Sequence, residues 1–170
     1  HDAAGGWVEI DPDCRFYRLL PHDQTSPTIS GTLGGGVTIT VDSAMPAASD
    51  VTAWMADVDA GDNVLLVGPE SIAAHADRIV RATDTIVLDE GSFTIAGTQW
   101  DGKDQSILHT MHDPDHAGRY ITIFHSNGEM GWDRLRYIWY YGKDTTVIWD
   151  GDETVLRRAH EPDAKFRDDG

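Results

Sequence analysis

The segment from residue 63 to residue 82 constrains the fold most. It places a continuous apolar run, Asn63-Val64-Leu65-Leu66-Val67, directly before the turn Gly68-Pro69-Glu70-Ser71 and an apolar stripe at Ile72, Ala76, Ile79 and Val80. A run without polar alternation suits a strand buried on both faces. A stripe at helical spacing suits a helix laid on a sheet. Pro69 is preset for a first helical turn, and Glu70 favours the positive end of the helix dipole there. A strand covered on both faces needs a helical or sheet layer on each side of it.

The same alternation continues along the chain. Val51, Trp54, Met55 and Val58 predict a short helix capped by Ser49 or Asp50 and ending near Val58. Thr85–Leu88, Phe93–Ala96 and Ser106–Leu108 are predicted strands, with Glu90-Gly91 and Asp101-Gly102 as turns. Arg119–Phe124 is a further strand, and 132–141 reads as an amphipathic helix closed by Gly142. Thr145–Trp149 and Thr154–Leu156 form a hairpin around Asp150-Gly151. The expected fold is α/β, a small Rossmann-like sheet with helices packed on it.

A β-rich N-terminal segment, 1–45, precedes the α/β domain of 46–160, and 161–170 forms an acidic tail. Trp7–Ile10 and Arg15–Leu20 are its first strands, separated by Asp11-Pro12-Asp13, and Val37–Val41 is its last. Gly34-Gly35-Gly36 precedes a strand rather than opening a helix, so it reads as a hairpin turn and not a phosphate loop.

Charge narrows the partners. Of 170 residues 29 are acidic and 13 basic, for a formal net charge of −16. Nucleic acid and anionic bilayers repel such a surface. No apolar stretch approaches the ~20 residues that span a bilayer, so no membrane insertion is expected. The acids are 23 Asp against 6 Glu and the bases 10 Arg against 3 Lys. Short hydrated carboxylates with few lysines suit a protein adapted to high salt, where screening removes the self-repulsion. The lone Cys14 excludes an intrachain disulfide and a cysteine-based metal site. The chain begins at His1 without Met or a signal peptide, which points to a removed leader or to a fragment of a longer protein.

Candidate chemistry is sparse. The turn at Gly68 carries one glycine, a proline and a glutamate, so it lacks a phosphate-binding pattern. No nucleophile elbow or Cys–His motif is present, and the reading of a small hydrolase rests on an unidentified nucleophile. His109, His112 and His116 lie with Asp113 and Asp115 in eight residues, a set that suits zinc or copper. On one strand His109 and His112 would face opposite sides, so joint ligation needs a turn between them. The aromatic residues Trp132, Tyr137, Trp139, Tyr140, Tyr141 and Trp149 supply core, interface or a sugar- or peptide-binding face.

Several short motifs then carry a resemblance. They are Val64-Leu65-Leu66-Val67-Gly68-Pro69-Glu70, Phe93-Thr94-Ile95-Ala96-Gly97 with Trp100-Asp101-Gly102, Asp113-Pro114-Asp115-His116-Ala117-Gly118-Arg119-Tyr120, and Tyr141-Gly142-Lys143-Asp144. Residues 63–158 resemble the accessory α/β domain that follows the catalytic part in some secreted aminopeptidase M1-like and prolyl-oligopeptidase or esterase-like hydrolases. Asp113 and His116 stand where that motif usually has Asn, and His125 where a small residue is common. The resemblance implies a non-catalytic accessory or interaction module, without cofactor, at the cell surface or outside the cell. Its partner would be a protein or an attached catalytic domain. The alternatives are a metal-binding protein using His109–His116 and the small hydrolase.

Overall fold

The computed structural model describes residues 7–8, 17–18, 27–43, 45, 48–83, 85–89 and 91–159. Strands β1 (Trp7–Val8) and β2 (Tyr17–Arg18) pair antiparallel, Trp7 opposite Arg18. Helix α1 (Ile29–Gly34) leads into β3 (Val37–Val41), and α2 (Ala48–Trp54) connects it to β4 (Asn63–Val67). Helices α3 (Pro69–Ala73) and α4 (Ala76–Ala82) precede a meander of β5 (Ile86–Asp89), β6 (Ser92–Ile95) and β7 (Thr98–Trp100). Then come β8 (Gln105–His112), β9 (Tyr120–Ser126), a 3₁₀ helix (Glu129–Tyr141), β10 (Asp144–Asp150) and β11 (Glu153–Ala159).

The architecture is α/β. Six strands form a mixed sheet in the order β11-β10-β8-β9-β4-β3, and β5-β6-β7 form a separate three-stranded sheet. The ladders β3–β4 and β4–β9 are parallel, and the other three of the large sheet are antiparallel. One face carries Leu65, Val67, Leu108, Phe124 and Trp149 against Ile29 and Leu33 of α1, Val51 of α2, and the 3₁₀ helix. The opposite face carries Leu66, Ile107, Ile121, Ile123 and Ile148 against Ile72, Ile79 and the small sheet's Ile86, Phe93 and Ile95. Strand β9 is buried at every position and β4 nearly so, as the continuous run Val64–Val67 requires.

Buried polar groups tie the layers. Asn63 Nδ2 donates to the Thr32 carbonyl at 3.0 Å, and its Oδ1 accepts from the Tyr120 amide at 3.0 Å, joining α1, β4 and β9. The hydroxyls of Thr32, Thr122 and Thr110 form a buried chain at 2.8 and 2.9 Å. Each group thereby keeps a partner where water is excluded.

Four expectations change. The glycine run does not make a hairpin. Thr28 caps α1 by accepting from the Gly31 amide at 3.1 Å, and the glycines end that helix. Gly36 at φ +76° then passes so close to Gly61 that a Cβ on the latter would lie 2.6 Å from Gly36 Cα. The single helix expected after Gly68 is two, parted at Ala74-His75, where the His75 ring Nδ1 donates to the Ser71 carbonyl at 3.0 Å. Strand β8 runs through His112 rather than ending at Leu108.

The helix expected at 132–141 is 3₁₀, and its buried side chains Trp132, Leu135 and Ile138 recur every third position. That period of three is the 3₁₀ repeat, at which residues three apart eclipse. It leaves Trp139 and Tyr140 exposed while Trp132 and Trp149 are core. The turn 11–13, Cys14, His1 and the tail 161–170 lie outside the described residues.

Candidate binding groove

The three predicted metal ligands stand in three different surroundings. The β8–β9 ladder continues to His112 opposite Tyr120, so no turn separates His109 from His112 and they face opposite sides. His109 is buried, its Nδ1 2.9 Å from Thr146 Oγ1, and burial pushes its pKa down to about 4. The His112 ring lies 5.5 Å from that of Tyr120. His116 Nδ1 is 2.8 Å from Asp113 Oδ2, in the loop beyond the strand.

The cation expected near Asp113 and Asp115 is supplied by the chain itself. Arg78 of α4 forks the Asp113 carboxylate, and Arg81 reaches Asp115 Oδ1 at 2.5 Å. Burial alone would raise the Asp113 pKa. Hydrogen bonds from Arg78, the Asp115 amide and His116 outweigh it and hold the group at about 2. Among the described residues no group of three or more His, Cys, Asp or Glu is placed to hold a metal ion.

A different feature gathers apolar surface. A groove of about 600 Å³ runs between α3–α4 and β5. Ile72, Ala73, Ala76, Ile79 and Val80 form one wall, and Ile86, Val87, Leu88 and Asp89 form the other. The helical stripe expected to be core is therefore only partly covered. Ile72 and Ile79 are buried, but Val80 is 72% exposed, and Val87 across the groove is 53% exposed. Alanines at 73 and 76 keep the helical wall shallow, which is what leaves the volume open.

The inner end of the groove is polar. His125, Ser126 and Asn127 close it where β9 ends, beside the end of β4. The carboxyl end of adjacent parallel strands is the common place for ligands in open α/β sheets. His125 is 4% exposed, and among the described residues neither ring nitrogen nor the side-chain oxygen Oδ1 of Asn127 has a hydrogen-bond partner. Phe93 and Trp132 meet the imidazole edge-on at 6.2 and 6.4 Å. Burial pushes its pKa down, the Asn127 side chain opposing, which favours the neutral ring. An apolar cleft with a few convergent polar groups is the usual form of a small binding site.

A second cleft, of about 700 Å³, holds His109, Thr146, Arg157 and Arg158. Arg157 is already engaged there by Asp144 at 2.7 Å. Compared with protein-family models, with curated proteins and with solved structures, the chain matches none. The groove itself was not legible beforehand, because its walls come from a stripe and a strand that both read as ordinary core. The signal that did exist is the alanine pair facing it, too small to fill the space beside a sheet.

Proposed function

We propose that this chain is a non-catalytic interaction module, and that the groove between α4 and β5 is its binding surface. The observation that carries the reading is the open apolar groove itself, with Val80 and Val87 left exposed on its two rims. Monomeric proteins seldom leave adjoining apolar walls uncovered unless something binds them. The likeness of residues 63–158 to accessory domains of secreted hydrolases agrees with a module that serves an attached catalytic part or a protein partner at the cell surface. Within this reading β3, α2 and β4 with β9 form the Rossmann-like part of the sheet. The excess of 29 acidic over 13 basic residues supports work in concentrated salt.

Titration with the neutral apolar dye Nile red tests the groove. Saturable binding at one site, abolished by Ala76→Trp and weakened by Val80→Asp, is expected. Binding that ignores both substitutions, or no saturable binding, would overturn the reading.

A further inference from the structure

The four consecutive residues Ile86 to Asp89 all line the groove. Successive side chains of a strand point to opposite faces, so a groove touching four in a row runs along the strand's edge rather than over one face. That edge is open. β5 is the outer strand of the order β5-β6-β7, and among the described residues no strand pairs with its other side.

The ladder register says which groups are free. The Ala96 amide donates to the Thr85 carbonyl at 2.8 Å, and Ile86, Val87, Leu88 and Asp89 face Ile95, Thr94, Phe93 and Ser92 in turn. In an antiparallel ladder, hydrogen-bonded and non-bonded pairs alternate. Val87 and Asp89 therefore bond to β6, and Ile86 and Leu88 turn their N–H and C=O groups outward along the groove.

We infer that the occupant is an extended polypeptide segment that adds as a strand to the free edge of β5. The inference rests on the groove reading above and names its ligand. Unpaired backbone donors and acceptors beside an apolar channel call for a partner with its own backbone groups at strand spacing, which a lipid or a compact apolar molecule lacks. Side chains opposite Ile86 and Leu88 enter the groove. A side chain opposite Val87 covers that exposed residue. Asp89 is exposed, makes no ion pair among the described residues and is the charged side chain lining the groove, so the residue opposite it is Lys or Arg. The net charge of −16 favours the same cationic segment and opposes a second copy of this chain.

A short blocked peptide of alternating valine and lysine tests this by calorimetry. Two versions N-methylated on alternate residues, in opposite phase, probe the edge, since only one side of an added strand faces β5. One phase is expected to lose about tenfold or more in affinity while the other binds like the parent. A valine–glutamate peptide is expected to bind at least about tenfold more weakly at low salt, the gap narrowing near 1 M. These comparisons vary the peptide, so they do not depend on a variant folding. Equal binding of both methylated forms would overturn the strand. A peptide that fails to bind while Nile red still saturates would overturn the strand but leave the groove; failure of both would overturn both. A dimer in sedimentation that Val87→Lys dissociates would make a second copy the occupant and contradict the inference.

Discussion

Arg78 Nε donates to Asp113 Oδ1 at 2.9 Å while Nη2 pairs with Oδ2 of the same carboxylate, fastening α4 to the loop after β8. The Asp113 side chain is 1% exposed and that of Arg78 19%, so this pair is shielded from solvent where Arg81–Asp115 is not. Removing one partner of such a pair strands the other.

Arg78→Ala should accordingly cost about 3 kcal/mol in urea unfolding, and Arg78→Lys less, because lysine keeps the charge but loses the fork. Asp113 titrates in the fold at about 2, below its ordinary 3.8. Its contribution is complete above pH 4 and disappears as pH falls toward 2. Arg78→Ala should raise the acid midpoint of unfolding; an unchanged midpoint would show that the pair does not hold the loop.

His109 gives a second, higher window. Its folded pKa of about 4 lies below the ordinary 6.5 because burial disfavours the charged ring. The neutral imidazole therefore stabilises the fold fully above pH 6.5, and that stability is lost as pH falls toward 4. The wild-type loss over this range is on the order of 3 kcal/mol. His109→Gln, which keeps a hydrogen-bonding group near Thr146, should flatten the slope. His125 shifts in the same direction, so a remainder should persist in that variant.

Ala96 sits at φ +48° and Gly97 at φ +79°, the two-residue connection between the paired Ile95 and Thr98. Both positive angles match the turn that suits the twist of a tight hairpin, where asparagine or glycine is preferred first. Ala96→Gly or Ala96→Asn should raise stability by about 1 kcal/mol. Gly97→Ala should lower it, measured by thermal melting of the three variants side by side.

The acidic surface predicts a salt response. With a net charge of −16, raising potassium chloride from low concentration to about 2 M should raise the melting temperature as self-repulsion is screened. An equal or lower melting temperature in molar salt would contradict adaptation to high salt.

The residues announced β4 and β9 plainly, because strands covered on both faces cannot hide their apolar runs. The meander was half legible. β6 stood out through Phe93 and Ile95, while β7 (Thr98–Trp100) carries one apolar residue and makes its place only by pairing with β6. Helix α1 was missed because Gly31 and Gly34 argue against a helix locally; burial of Ile29 and Leu33 decides it. The histidine segment was legible only as a condition: joint ligation needs a turn between His109 and His112, and β8 runs straight on through His112, a continuation set by its pairing with β9. The groove is a relation between α4 and a strand edge that no other described strand pairs, and beyond the small residues Ala73 and Ala76 no local pattern records it.

The most direct measurement is an amide-resolved NMR titration of the labelled chain with the alternating valine–lysine peptide. The amides of Ile86 and Leu88 should shift downfield on forming hydrogen bonds. Ala76 and Val80 should move with them, and residues around His109 should stay in place. Shifts confined to the His109 cleft, or none along β5 at saturating peptide, would contradict strand addition.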